Sequence, residues 1–247
     1  MTRRAILLII LTALAAGCAS SASSGVAKLP TVQWKTTDDA LRILRERAGA
    51  IRTATATGTI TFTRPNGESV RLDLAMVSAP PDRLRLRAWK LGRAVFDLTL
   101  TPDGLWLFTP EDPSMRNKVR GAGLDAGRIA RQWSMLSGAL FERDDLVVSG
   151  HARELEVAAP RAQPPLVCYV DRRTLVPTRY QLRDPDRTVR FFLDLSDYRE
   201  IVGISYPHRL DAKSDSGQIA IHFEDVELNQ DLAPAAFVPP KRAEKLP

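Results

Sequence analysis

The sequence predicts a mainly β protein, an antiparallel barrel that need not close, and three observations support this fold class. Residues 53–63 alternate strictly between threonine and small or apolar residues, the period-two pattern of a strand with one wet face. Turn-forming pairs such as Asn66-Gly67 and Asp103-Gly104 separate further alternating runs. The runs number about ten or eleven, which in one domain favours an antiparallel barrel.

The N-terminus is organised as an export signal. Arg3 and Arg4 precede an apolar run from Ala5 to Ala16, and small residues follow it. As a helix this run spans roughly 18 Å, well short of the ~30 Å hydrocarbon core of a bilayer, so we do not expect it to remain as a membrane span. Residues 1–17 are therefore predicted to be a cleaved signal peptide.

The end of this signal resembles the lipobox of bacterial lipoproteins. Leu14-Ala15-Ala16-Gly17-Cys18 matches that motif in its position, its small residues and its cysteine. The resemblance implies cleavage before Cys18 and covalent lipid on that residue, as a diacylglycerol and an N-acyl chain. Several acyl chains, at about 0.8 kcal/mol per buried CH₂, make a durable anchor, whereas a single chain binds only marginally. The alternative is a plain signal peptide with a chance cysteine.

Residues 18–35 are predicted to be the lipidated N-terminus and a flexible tether, because small residues dominate the stretch from Ala19 to Lys28. Removing residues 1–17 lowers the formal charge of the chain from +6 to +4. That mild positive excess suits an anionic membrane surface, but a solvated surface of mixed charge explains it equally well. Nucleic acid is not expected as a partner behind an export signal, since no recognition motif is present.

Two helices are expected among the strands. Thr36 or Thr37 is predicted to cap the first helix, with Asp38 and Asp39 in its first turn. Residues 124–141 are expected to form the second, whose apolar stripe consists of Ile129, Trp133, Leu136 and Leu140. The strand candidates that follow are 152–158, 166–171, 175–183, 188–198, 201–212 and 217–228.

No arrangement of residues calls for an enzyme. The histidines His151, His208 and His222 lie in separate segments without the spacing of metal ligands. There is no Gly-x-Ser-x-Gly motif and no complete nucleotide-binding loop. Cys168 shares a strand face with apolar residues, which predicts a buried, unreactive thiol. We therefore predict a non-enzymatic protein without a metal site and without a cofactor other than the lipid on Cys18.

The order of these features resembles the LolA/LolB superfamily, and its lipid-anchored, LolB-like branch in particular. The segment from Arg83 to Leu100, with Leu91-Gly92 at its centre, looks like that branch's strand, protruding loop and strand. The segment from Met115 to Phe141 looks like its lid-type helix, and the one from Ser216 to Val226 looks like a late strand.

The resemblance implies a single domain over residues 36–247, folded as an unclosed β-barrel (half-barrel) whose cavity is covered by the amphipathic helix. It also implies a non-enzymatic carrier that takes acylated lipoproteins or other lipids from a periplasmic LolA-like carrier and inserts them into the outer membrane. Leu91 is then the residue of the membrane-insertion loop. The apolar residues expected to line the cavity or form the core are Ile60, Phe62, Leu72, Leu84, Leu86, Phe96, Leu98, Trp133 and Leu136.

The strand period supports an exposed loop independently. If Leu84 and Leu86 face inward, Trp89 and Leu91 share the outward face. A tryptophan and a leucine at a hairpin tip, beside basic residues, suit a membrane interface. The alternative is a β-bulge that turns Trp89 back into the core.

Three other functions remain as alternatives for the same sequence. The first is an envelope sensor or regulatory lipoprotein of the same fold, which binds a lipid or lipoprotein and signals to a protein partner. The second is a structural lipoprotein with a filled barrel. The third is an enzyme, which would need carboxylates or histidines clustered at the mouth of the barrel. The residue after Cys18 is Ala19 rather than an aspartate that favours inner-membrane retention, so we expect the protein to be anchored to the outer membrane and to face the periplasm of a Gram-negative bacterium. We also expect it to be a monomer.

Overall fold

The structure is a computed structural model that describes residues 29–110, 133, 135–184, 186 and 188–246. Cys18, the signal peptide and the tether up to residue 28 therefore lie outside the described residues, as do residues 111–132 of the segment that contains the predicted second helix. Within the described part, no helix is both long enough and apolar enough to cross a membrane.

The first helix, α1 (Thr37–Gly49), begins as the sequence predicts. The Thr36 hydroxyl accepts a hydrogen bond from the Asp39 amide at 3.1 Å, and the Asp39 carboxylate accepts one from the Thr36 amide at 3.3 Å. This reciprocal pair is a capping box, which satisfies two backbone donors that a helix start leaves free. Ala40 and Leu44 are buried on the face of α1 that meets the protein.

Thirteen strands of the described residues form one antiparallel sheet, in the order β13-β5-β4-β3-β2-β1-β12-β11-β10-β9-β8-β7-β6. The edge strands β13 and β6 are not paired to each other, so the sheet is unclosed and the predicted fold class is confirmed. The strands are β1 (Ala54–Thr63), β2 (Ser69–Ala79), β3 (Arg83–Lys90), β4 (Arg93–Thr101), β5 (Gly104–Phe108), β6 (Val147–Gly150), β7 (Glu154–Ala159), β8 (Leu166–Asp171), β9 (Pro177–Arg183), β10 (Val189–Ile201), β11 (Ile204–Ser214), β12 (Gly217–Leu228) and β13 (Glu244–Leu246).

The structure contains two strands that the sequence did not predict, β6 and β13. Each has four residues or fewer, which is too short for an alternating pattern to be recognised. The boundary between β10 and β11 also differs from the prediction. The turn lies at Val202-Gly203, where Val202 has φ 50° and Gly203 has φ 76°, the positive angles of a two-residue hairpin turn.

The C-terminal segment covers part of the outer face of β3 and β4. A 3₁₀ helix, Pro234–Phe237, lies over these strands, and Phe237 is buried. Beneath it the Arg85 guanidinium donates two hydrogen bonds to the Asp97 carboxylate, at 2.9 and 2.8 Å, and a third to the Ala236 carbonyl at 3.1 Å. The ion pair therefore attaches the C-terminal segment to the sheet.

We expect Asp97→Asn to lower the free energy of unfolding by about 3 kcal/mol, because it leaves the largely buried Arg85 charge without its carboxylate. Urea denaturation measures the change. The matched control is Asp194→Asn, whose ion pair with Arg179 is more exposed and should contribute less than about 1 kcal/mol. Equal losses in the two variants would show that the covered pair has no special role.

Candidate functional site

An apolar cavity of about 330 Å³ lies between the inner face of the sheet and α1. This volume is at the lower end of the roughly 300–1,000 Å³ that small-molecule pockets occupy. The cavity is lined by residues of α1, of the segment 133–141 and of the inner sheet face. Its larger apolar and aromatic side chains are Leu44, Ile51, Met76, Leu84, Leu86, Trp133, Leu136, Phe141, Leu175, Tyr180, Leu195, Tyr198, Ile204, Tyr206, Leu210, Ile221 and Phe223.

α1 and the segment 133–141 cover the cavity, and hydrogen bonds from α1 attach this cover to the rest of the protein. Arg45 donates from Nε to the Phe141 carbonyl at 2.6 Å, which ties α1 to the segment 133–141. Arg47 donates from Nη1 to the carbonyls of Thr174 and Leu175, at 2.6 and 2.9 Å, which ties it to the turn between β8 and β9. Trp133 and Leu136 are helical, whereas the rest of the predicted helix 124–141 before Trp133 lies outside the described residues.

Four of the nine apolar residues singled out from the sequence line the cavity: Leu84, Leu86, Trp133 and Leu136. The other five are buried in the core but do not line it: Ile60, Phe62, Leu72, Phe96 and Leu98. Phe62 and Phe96 pack edge to face against each other, with their ring centroids 6.1 Å apart. One part of the inner sheet face is therefore filled by its own side chains, and another part is open.

The small residues of β1, Ala54, Ala56 and Gly58, do not line the cavity. Ala54 and Ala56 are buried, but it is their partners on β2, Ser78 and Met76, that line the cavity. Gly58 has a different role, because a Cβ atom there would lie 2.0 Å from the carbonyl oxygen of His222 on β12. The pairing of β1 with β12 shifts register at this point, so the glycine allows a close approach of the two backbones.

Three tyrosines of the second half of the chain line the cavity and were not predicted: Tyr180, Tyr198 and Tyr206. Burial raises the pKa of each hydroxyl well above its usual range, so all three stay neutral. The Tyr198 hydroxyl donates to the Pro177 carbonyl. The sequence pattern that pointed to this part of the cavity lining was the alternation that places Tyr206 and Leu210 on one face of a strand.

Two polar groups stand out in this apolar lining. Arg47 is partly buried, and desolvation lowers the pKa of its guanidinium, although the group stays charged at neutral pH. Trp133 is only 6% exposed, and its indole Nε1 is the one buried side-chain nitrogen or oxygen of the described residues that has no hydrogen-bond partner.

The cavity lies towards one end of the strands, which we call the cavity end. The turns β2–β3, β4–β5 and β10–β11 lie at that end. Pro80 and Gly203 of two of these turns line the cavity, as does Ile204 at the start of β11. The turns β1–β2, β3–β4 and β11–β12 lie at the other end, which we call the Leu91 end. The predicted insertion loop and the cavity are therefore at opposite ends of the sheet.

The β3–β4 turn presents Leu91 to solvent, since this side chain is 92% exposed. Leu91 and Gly92 have φ angles of 50° and 74°, and Lys90 and Arg93 on either side of them are exposed. The strand pairing shifts register between Ala88 and Trp89, and Trp89 is partly buried. The exposed part of the tip is thus an aliphatic side chain between two cations.

The histidines and Cys168 do not form a metal-binding cluster among the described residues. No group of three or more His, Cys, Asp or Glu side chains in this part of the chain could hold a metal ion. His208 is buried, with its Nδ1 atom 3.3 Å from the Tyr206 carbonyl oxygen, and desolvation lowers the pKa of its ring. Cys168 is fully buried, and desolvation raises the pKa of its thiol, so the thiolate needed for reactivity is suppressed.

Comparison with known proteins identifies the fold. No protein-family model matches the chain, and no curated protein matches its sequence. A solved LolA superfamily protein from Nitrosomonas europaea superposes with a TM-score of 0.54 at 13% identity, over 80% of this chain and 97% of that one. The chain shares its fold with this LolA superfamily protein.

Two further solved structures share the LolA-type fold at low sequence identity. A DUF1329 family protein from Desulfovibrio piger has a TM-score of 0.61 at 12% identity, over 83% of this chain and 98% of that one. A domain from Vibrio parahaemolyticus, described as an outer membrane lipoprotein-sorting protein, has a TM-score of 0.53 at 12% identity, over 82% and 97%. In all three comparisons the LolA-type fold extends over nearly the whole length of the other chain.

Proposed function

We propose that this protein is a lipid-anchored carrier that binds the acyl chains of lipoproteins and inserts those lipoproteins into the outer membrane. The observation that carries the proposal is the apolar cavity under α1. Apolar surface that faces an open cavity gains free energy, about 25 cal/mol per Å² removed from water, when a hydrocarbon chain fills it. The LolA-type fold and the lipoprotein-sorting description of one structural neighbour support the same cargo.

The Leu91 tip supports contact with a bilayer. A leucine side chain that is almost fully exposed gains about 2 kcal/mol when it enters an apolar phase. Lys90 and Arg93 beside it are placed to meet anionic headgroups, which attract each nearby cation by about 1 kcal/mol. We propose Leu91 as the inserting residue, with the partly buried Trp89 supporting the base of the loop.

The anchor follows from the sequence. We propose that residues 1–17 are removed, that Cys18 carries the lipid, and that residues 18–35 form the tether of a single domain over residues 36–247. Such a tether allows the domain to reorient near the bilayer, so that either end of the sheet can approach it. Ala19 after the cysteine favours the outer membrane, with a periplasmic LolA-like carrier as the donor of cargo.

We expect Cys18→Ala to abolish incorporation of labelled palmitate into the protein and to leave it in the soluble fraction after cell lysis, because the variant lacks the thiol that accepts the lipid. Cys168→Ala is the matched control, since that thiol is fully buried, and it should label like the wild type. Palmitate labelling of the Cys18→Ala protein would contradict the proposed anchor.

Binding of a fluorescent fatty-acyl probe tests the cargo directly. The full chain carrying Cys18→Ala, purified without its own lipid, should bind dansyl-undecanoic acid with a saturable rise and blue shift of the dansyl emission. Absence of saturable binding would contradict a carrier role. Binding without any effect of the protein on lipoprotein localisation in cells would instead support the sensor of the same fold.

A further inference from the structure

We infer that the cavity binds an anionic amphiphile, whose acyl chain fills the apolar space and whose carboxylate or phosphate oxygens accept hydrogen bonds from the Arg47 guanidinium. This inference rests on the proposed function for the chain inside the cavity. It extends the ligands of that site from acyl chains in general to those that carry an anionic head group.

Arg47 is the one cationic side chain in the lining of the cavity, as far as the structure describes that lining. It is partly buried. The other charged side chain of the lining, Glu46, is exposed and forms an ion pair with Arg42 at 2.7 Å. Glu46 therefore has its own partner and does not neutralise the charge of Arg47.

Two backbone carbonyls fix the guanidinium of Arg47 at the cavity wall. Its Nη1 donates to the carbonyls of Thr174 and Leu175, at 2.6 and 2.9 Å. Leu175 and Val176 line the cavity from the β8–β9 turn, and Leu44, one turn before Arg47 on the same face of α1, lines it from the helix. The guanidinium thus lies where two elements that both line the cavity meet.

The contacts of Arg47 leave part of its guanidinium available to a ligand. A guanidinium has five N–H donors, and the two carbonyls use only those of Nη1. No hydrogen bond between described residues uses its Nε or Nη2 atom. These two nitrogens form one edge of the planar group, and such an edge matches two oxygens of a carboxylate or a phosphate. The carbonyls therefore hold the group in place and leave that edge for an anion.

The electrostatic surroundings of Arg47 favour an anion. Burial lowers the pKa of its guanidinium, and no carboxylate of the described residues acts against that shift. Arg179 shows the usual arrangement in this protein, because hydrogen bonds to the Asp194 carboxylate raise the pKa of its guanidinium. Charges that are removed from water are normally paired, so a bound anion supplies the partner that Arg47 lacks in the described part of the chain.

The experiment compares Arg47→Gln with the parent protein, each as the full chain carrying Cys18→Ala. Displacement of the uncharged fluorescent probe N-phenyl-1-naphthylamine at neutral pH gives the affinities for decanoate, decyl phosphate and methyl decanoate. We expect Arg47→Gln to weaken the two anions by about tenfold or more, because hydrogen bonds between charged groups are lost, and methyl decanoate by less than about threefold. Arg45→Gln is the matched control, since Arg45 also donates to a backbone carbonyl from α1 but does not line the cavity. It should leave the ratio of decanoate to methyl decanoate affinity unchanged.

Two outcomes would overturn the inference. Equal loss for the anions and the ester would mean that Arg47 only supports the cavity wall, and unchanged affinity for both anions would mean that their head groups lie elsewhere. A loss confined to decanoate would support the inference with a free fatty acid as the ligand, and a loss confined to decyl phosphate would support it with a phosphate-bearing lipid. If the parent protein binds none of the three ligands, the proposed function fails as well, whereas binding of the ester alone contradicts only the inference.

A second measurement applies even if Arg47→Gln does not fold, because it needs only the parent protein. Decanoate and decyltrimethylammonium carry opposite charges on apolar chains of similar length. The parent protein should bind decanoate at least about tenfold more tightly, since the guanidinium attracts the anion and repels the cation. Equal affinity for the two amphiphiles would contradict the anion site.

Discussion

Leu91→Glu is expected to reduce delivery of lipoproteins to the outer membrane by roughly thirtyfold while leaving the fold intact. The side chain is 92% exposed, so its replacement removes no packing within the protein. It does remove about 2 kcal/mol of burial in the bilayer, and it places a negative charge between two cations of the tip. Delivery is measured as the fraction of a reporter lipoprotein in outer-membrane vesicles after fractionation of cells that carry the variant as their only copy.

Val202→Glu is the matched control for this prediction. Val202 is 90% exposed in a turn of the same geometry, since its φ of 50° and the 76° of Gly203 match those of Leu91 and Gly92. It lies at the cavity end of the sheet, so it should retain delivery within about twofold if only the Leu91 end enters the bilayer. A larger loss with Val202→Glu than with Leu91→Glu would place the membrane contact at the cavity end instead.

Ile221→Trp is expected to weaken binding of dansyl-undecanoic acid by at least about tenfold. Ile221 lies on β12 and lines the cavity, and an indole there occupies space that the acyl chain needs. Overfilling a packed site costs about 1–3 kcal/mol when the ligand is present, whereas filling an empty cavity does not destabilise the protein by itself. The thermal midpoint should therefore stay the same or rise while the affinity falls.

Ile219→Trp separates loss of the cavity from general damage. Ile219 lies two residues earlier on the same strand, is partly buried like Ile221, and does not line the cavity. This variant should bind the probe within about twofold of the parent protein. Equal weakening by both substitutions would show that the probe does not occupy the cavity under α1.

The local patterns of the sequence predict most of this fold. The threonine alternation of β1, the turn at Asn66-Gly67 and the cap at Thr36 are each determined by neighbouring residues, and the structure places a strand, a hairpin and a helix start there. The strands β6 and β13 were missed because they depend on pairing with β7 and β5 rather than on a pattern of their own.

The cavity was predictable only in part, because periodicity identifies the face of a strand and not the position along it. Phe62 and Leu84 both face inward, but only Leu84 lies where α1 and the segment 133–141 leave space above the sheet. That position depends on contacts between distant parts of the chain, such as the hydrogen bond from Arg45 to Phe141. The covering of Arg85 by the C-terminal segment is a second long-range effect that no local pattern indicates.

Depletion of the protein in living cells, followed by fractionation of their other lipoproteins, tests the central claim most directly. A carrier that inserts lipoproteins into the outer membrane predicts that, as the protein is depleted, mature lipoproteins accumulate in the periplasm or the inner membrane and disappear from the outer membrane. Expression of the wild-type chain should reverse the change, and expression of Ile221→Trp or Leu91→Glu should not. An unchanged distribution of all lipoproteins in fully depleted cells would contradict the claim.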